Sequence, residues 1–354
     1  MFGDKTKDIG LYTPFRYYDG LIRLDANESA YNLPENILLK FKDELNNLDF
    51  NRYPDSQATE LCLAFADSFG VNADNVIASN GSDELLYLIL SSSIYKGGKI
   101  LVTDPDFSMY SFYSQLGENN VIHFEKNKDY QIDIVGFKNI IAESNPEIII
   151  FSNPCNPSGK CLSRFLLVDI LKTTSALLIV DEAYMDFSLS DESMLPLVKA
   201  YDDLMVLKTL SKAFGCAAAR IGFAVSGVKN INVLKALKSP YNLNSISQLL
   251  GRILLTEGDI VGQHVMETVV LRNQMFDFLS GFSSDKFKVI PSCTNFIFIE
   301  TCFASQIYNK MLENNVLIRC FKNGIRVTIG NIEECKIFRD VFNKIAEELK
   351  LNHV

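Results

Sequence analysis

The chain has 354 residues, 47% of them hydrophobic and 22% charged, which is the balance of an ordinary globular protein too long for one minimal core. Thirty-four basic residues against 43 acidic ones leave a formal charge of −9, which argues against a nucleic-acid or anionic-membrane partner. The first residues, MFGDKTKDIG, lack the apolar core of a secretory leader, and no later run reaches membrane-spanning length. The eight cysteines form no C-x-x-C pair and sit mostly in apolar stretches, as reduced thiols of a cytoplasmic protein do. His123, His264 and His353 lie far apart without metal-ligand spacing, so neither zinc chemistry nor a serine–histidine triad is expected.

From about residue 70 to residue 226 one unit keeps returning: a short run rich in Ile, Val and Leu, a polar turn, then a helical stretch. NVIAS leads into NGSDE, KILVT into DPDFSMY, EIIIFS into NPCNPSG, ALLIV into DEAY, and LMVLK into TLSKAFG; RIGFAVS closes the series. Runs buried on both faces and alternating with helices predict a mostly parallel sheet covered by helices, with ligands outside the carboxyl ends of its strands. After Pro240 the spacing of Leu250, Ile253, Leu254, Val261, Val265 and Val269 predicts long helices. A smaller α+β unit follows, with strand in FKVIPSCTNFIFIE, helix over Ala304 to Glu313, and strands in VLIRC and GIRVTIG. The last helix is predicted to start at Asn331, which with Glu334 makes a capping-box-like start.

The polar clusters all fall at the predicted strand ends. Lys212 follows a strand, flanked by Thr209 and Ser211, with Arg220 further on; a lysine so placed can form Schiff bases, and hydroxyls with a guanidinium suit a phosphate. Ser82 opens a helix whose free N–H groups make an anion site. Asn156 stands between two prolines, Phe107 offers a flat apolar face, and Asp181 ends a buried run with Tyr184 close behind. Singly, each has a plainer reading: a snorkelling lysine, an N-cap, a turn asparagine, a core phenylalanine, a turn aspartate. Together they answer one ligand, a phosphorylated aromatic aldehyde whose ring nitrogen stays protonated: pyridoxal 5′-phosphate.

LDANES with NRYPD, NGSDE, SNPCNPSG, DEAY and TLSKAFG followed by R-I-G occur in the order of the fold-type-I aminotransferases, and the chain resembles their histidinol-phosphate aminotransferase branch over nearly its whole length. The resemblance implies a three-layer α/β/α, mainly parallel large domain over residues 31–255. It also implies a small α+β domain over 256–354 and an N-terminal segment, 1–30, docking on the latter. It implies that Lys212 carries pyridoxal phosphate, that Asp181 pairs with the pyridinium nitrogen, and that Asn156 and Tyr184 bond the ring's phenolic oxygen. Phe107 would stack on the ring, and Ser82, Asp83, Thr209, Ser211 and Arg220 would line the phosphate site. Tyr53 would reach the cofactor phosphate of a second subunit, which implies a homodimer. Arg326 would clamp a substrate carboxylate, Arg319 would suit a substrate phosphate, and Asn27 would lie near the substrate.

The reaction so implied is amino transfer from L-histidinol phosphate to 2-oxoglutarate, with Lys212 as general base. Rival readings are an aromatic-amino-acid aminotransferase, a threonine-phosphate decarboxylase of the same fold, and a catalytically silent cofactor-binding protein. PFRYYDGLIRLDANES lacks the glycine- and histidine-rich entry motif usual in the decarboxylases.

Overall fold

A computed structural model describes residues 15–92, 95–257, 259–282 and 284–351, without the side chains of 259 and 260. His353 and residues 1–14 of the N-terminal segment lie outside the described residues.

A short strand, β1 (Ile22–Leu24), precedes helices α1 (Glu35–Leu45) and α2 (Thr59–Phe69). Strand–helix alternation then runs through β2 (Val76–Asn80), α3 (Ser82–Ser92), β3 (Lys99–Asp104), α4 (Met109–Leu116), β4 (Asn120–Glu125), α5 (Ile134–Ser144), β5 (Ile148–Ser152) and α6 (Arg164–Leu171). β6 (Leu177–Asp181), β7 (Leu204–Thr209) and β8 (Ile221–Ser226) complete a seven-stranded sheet of order β2-β8-β7-β6-β5-β3-β4. Only β8 runs antiparallel to its neighbours; the other pairings are parallel.

Both faces of this sheet are buried because its strands carry apolar residues at successive positions. Leu101, Ile149, Val180, Val206 and Phe223 pack against α2, α5 and α6, while Ile100, Ile150, Ile179, Leu207 and Ala224 pack against α3 and α4. The result is a three-layer α/β/α sandwich. Helix α7 (Val228–Leu237) joins the second face, and α8 (Ser245–Thr256) packs on α1 and α2.

The long helix α9 (Asp259–Ser280) leads to β9 (Phe287–Ile290), β10 (Phe296–Thr301), α10 (Ala304–Glu313), β11 (Val316–Phe321), β12 (Gly324–Thr328) and α11 (Ile332–Glu348). Their sheet has the order β1-β11-β12-β10-β9, so the N-terminal strand pairs in parallel with β11. Asn331 and Glu334 form a full capping box at the start of α11. FKVIPSCTNFIFIE is two strands rather than one, because Pro291 interrupts the ladder and the chain turns back to pair β9 with β10 antiparallel. β4 is a strand that the repeating unit did not include: it is an edge strand with half its residues facing water, so its apolar signal is diluted.

Among the described residues no helix is long and apolar enough to cross a membrane, and no group of three or more His, Cys, Asp or Glu could hold a metal ion.

Candidate active site

Strand direction places the chemistry. β2, β3, β5, β6 and β7 run the same way, so the turns after them, carrying Ser82, Phe107, Asn156, Tyr184 and Lys212, open on one edge. The reversed β8 brings its amino end to that edge, with Gly222 opposite Thr209 and Ile221 opposite Asn80. Arg220 therefore arrives beside the start of α3, although it lies far from Ser82 in sequence.

Asp181 is fully buried. Its Oδ2 accepts from the Tyr110 hydroxyl at 2.8 Å and its Oδ1 from the Ala183 N–H at 3.1 Å. Burial raises its pKa to about 6, against the lowering effect of those two bonds. Glu182, next in the chain, is raised by burial to about 7, but its oxygens accept from Ser193 Oγ and Met194 N–H at 2.6 Å each. The neighbours thus differ: Glu182 ties a loop down, whereas Asp181 is a desolvated acid held only by neutral donors. Tyr110 was not singled out from sequence; its one cue was its place shortly after Phe107, whose ring it meets edge-on at 5.6 Å.

Lys212 Nζ donates to the Ala26 carbonyl at 2.9 Å and lies 5.8 Å from the centre of the Tyr184 ring. The Tyr184 hydroxyl accepts from Asn27 Nδ2 at 2.9 Å, and Asn27 is fixed in turn by Thr328, its N–H reaching Thr328 Oγ1 at 3.0 Å. The segment after β1 thereby ties the Lys212 turn to β12.

Arg326 is only 7% exposed, so it is no solvent-facing strand residue. Its Nη2 donates to the Asp25 carbonyl at 2.7 Å, Nη1 donates to Asn156 Oδ1, and the guanidinium lies 5.2 Å from the Phe296 ring centre. Arg319, exposed, stands directly across from it on β11. Like charges opposite one another on adjacent strands repel, so this pair favours an anion between or above its guanidinium groups.

At the other end of the edge, Arg220 Nη2 lies 3.4 Å from Asp83 Oδ2, a half-exposed contact that water screens. Gly81 has φ +83°, and a Cβ there would come within 2.5 Å of Arg220 Nη2; one on Gly222 would meet Ser82 N at 2.3 Å. Both glycines let the guanidinium and the first amides of α3 crowd together, and those amides have no intrahelical acceptor. Thr209 and Ser211, both buried, have their hydroxyls 3.0 Å apart in the adjoining turn. A donor set of this kind suits a phosphate. Tyr53 stands apart, 81% exposed with its ring stacked on Tyr241 at 4.5 Å.

The arrangement fits a phosphorylated, cationic heterocycle. Asp181 is a buried acid whose ionised form needs a cation, the donor set beside Arg220 suits an anion, and Lys212 can react with a carbonyl.

The profile of the aminotransferase class I and II family matches residues 19–342. The chain belongs to that family. It is 34% identical over 337 residues to a histidinol-phosphate aminotransferase of Clostridium kluyveri, covering 93% of each chain. It is 35% identical over 330 residues to that of Clostridium novyi, covering 90% of this chain and 92% of the relative. Among solved structures, the histidinol-phosphate aminotransferase of Sinorhizobium meliloti in complex with pyridoxal-5′-phosphate superposes with a TM-score of 0.85 at 19% identity, covering 93% and 91% of the two chains. Membership makes the protein a pyridoxal-phosphate-dependent aminotransferase of the fold-type-I architecture.

In this aminotransferase the folded state holds the Asp181 proton more tightly than the unfolded chain does. Ionising it in the cofactor-free protein therefore costs stability increasingly as pH rises from about 4 to about 6. Urea unfolding of the cofactor-free form should show Asp181→Asn gaining on the wild type by about 1 kcal/mol per pH unit across that window. Parallel stability profiles for the two proteins would show that the acid is not desolvated.

Proposed function

We propose that the protein transfers the amino group of L-histidinol phosphate to 2-oxoglutarate, giving imidazole acetol phosphate and L-glutamate. What carries the choice of substrate is the likeness, at 34% and 35% identity over nine-tenths of the chain, to histidinol-phosphate aminotransferases.

Bound at the sheet edge, pyridoxal phosphate supplies a carbonyl carbon for the amine and a protonated ring that accepts the electron pair. Lys212 would hold the cofactor through its Nζ and, once its amine is free, would serve as the base for the substrate Cα proton. Asp181, oriented by Tyr110, would keep the ring nitrogen protonated. Tyr184 and Asn156 would bond the ring's phenolic oxygen, and Phe107 would cover one face. Ser82, Asp83, Thr209, Ser211 and Arg220 would hold the cofactor phosphate, through the amides at the α3 start together with the hydroxyls and guanidinium.

The two half-reactions bring different anions to one place. Histidinol phosphate has no carboxylate on Cα, and its phosphate arm stands where glutamate presents its carboxylate. Arg326 and Arg319 can serve both, since a guanidinium fork matches phosphate and carboxylate oxygens alike. Asn27, held by Thr328, lines the substrate side next to Tyr184. We place the reaction in the cytoplasm, where all eight cysteines, each free, would stay reduced.

Assaying the purified protein side by side with histidinol phosphate, phenylalanine, tyrosine and threonine phosphate tests the substrate. Histidinol phosphate is expected to give the highest kcat/KM with 2-oxoglutarate, by at least about tenfold, the equivalent of 1.4 kcal/mol. Preference for an aromatic amino acid, or release of carbon dioxide from threonine phosphate, would refute the assignment.

The active unit is proposed to be a homodimer in which the exposed Tyr53 reaches the cofactor phosphate of the other subunit. Lys212→Ala should abolish turnover and Tyr53→Ala should impair it strongly. Refolding the two variants together should restore activity, because a mixed dimer holds one site with both residues. Mixtures no more active than the better parent would exclude a shared site.

A further inference from the structure

Behind the site lies a buried ion pair that the chemistry above does not use. Lys126 follows the edge strand β4 and Asp106 lies in the turn after β3; their side chains are 3% and 2% exposed. Lys126 Nζ donates to Asp106 Oδ2 at 2.9 Å and to the Pro105 carbonyl at 2.8 Å, and lies 3.0 Å from Cys155 Sγ. Burial, the largest single influence, would lower the pKa of this lysine, but Asp106 and Cys155 together raise it above its ordinary value. A buried pair adds little stability over apolar residues of the same volume, so stability alone does not account for it.

Its bonds lead to the active site. Asp106 Oδ2 also accepts from Thr103 Oγ1 at 2.8 Å, while Oδ1 accepts from the Phe107 N–H at 2.8 Å and from the Ser152 hydroxyl. The Ser152 N–H lies 3.3 Å from both carboxylate oxygens. Because the Ser152 hydroxyl proton goes to Asp106, its lone pairs face the Asn156 N–H, which donates to it at 3.0 Å. Asn156 Oδ1 then accepts from Arg326 Nη1. Hydrogen bonds to an ionised acceptor are stronger and better aligned than neutral ones. One charged hub therefore fixes the backbone of the ring-covering Phe107 and, through Ser152, the asparagine that steers Arg326.

We infer that Ser152, oriented by the Lys126–Asp106 pair, is a positioning residue that sets Asn156 and through it the Arg326 guanidinium for the anionic group of the substrate. This rests on the reading of Arg326 as the anion clamp, and the experiment separates the two. Calorimetric titration of the cofactor-loaded protein with maleate, a dicarboxylate that cannot be transaminated, is compared for wild type, Ser152→Ala, Arg326→Lys and the double variant.

Ser152→Ala is expected to weaken maleate about fivefold, the effect of one lost hydrogen bond. The double variant should bind little worse than Arg326→Lys alone, because the serine acts through that arginine. Lys126→Met should weaken maleate in the same way and Lys126→Arg should restore it. If Arg326→Lys weakens binding while Ser152→Ala binds as the wild type does, the positioning role is overturned; multiplying losses in the double variant overturn it as well. If Arg326→Lys has no effect, the clamp itself falls and takes the inference with it.

Discussion

The site is organised around a carboxylate placed where it cannot comfortably be ionised. Asp181 ends a strand in the middle of a sheet covered on both faces, and its two partners, a phenol and an amide, are neutral. Desolvation outweighs both and lifts its pKa to about 6. Such an acid either keeps its proton or receives a cation from outside the chain. A pyridinium nitrogen is such a cation, and the same energy that raises the acid's pKa in its absence favours a protonated ring in its presence. Electron withdrawal by that ring is what amino transfer requires.

Under the proposed function, the remaining parts hold a flat phosphorylated molecule over that acid. Parallel strands deliver Lys212, Tyr184, Asn156 and Phe107 to one edge, and the single reversed strand delivers Arg220 to the same edge from the opposite chain direction. Arg326 comes from the other sheet, yet its guanidinium is bonded to Asn156 of the large sheet's edge and to Asp25 of the N-terminal segment. Asn27 repeats this joining, with Tyr184 on one side and Thr328 on the other. The surroundings of the Arg326 guanidinium are thus built from three separate stretches of chain.

Much of this was legible in the sequence because it is local. The buried runs and the turns after them could be read from NVIAS to RIGFAVS, and the Asn331–Glu334 capping box marked the last helix. Edge strand β4 escaped because His123 and Glu125 interrupt its apolar residues, and the break at Pro291 was absorbed into a single strand. Side-chain partnerships between distant residues could not be read. That Tyr110 meets Asp181, or that Lys126 meets Asp106 and Cys155, depends on how α4 and the end of β4 fold back beside the central strands. The burial of Arg326 was hidden likewise: alternation in GIRVTIG gives its face, and only the packing of Asp25, Phe296 and Asn156 around it tells that the face is covered.

The most direct test reads the proton on Asp181 itself. Infrared difference spectra between wild type and Asp181→Asn, taken at about pH 5 where an acid with a pKa of about 6 is mostly protonated, should show a protonated carboxyl band in the cofactor-free protein. Loading with pyridoxal phosphate should remove that band as the ring nitrogen takes the proton's place beside the carboxylate. A band that persists unchanged in the loaded protein would mean that the acid at 181 does not pair with the ring.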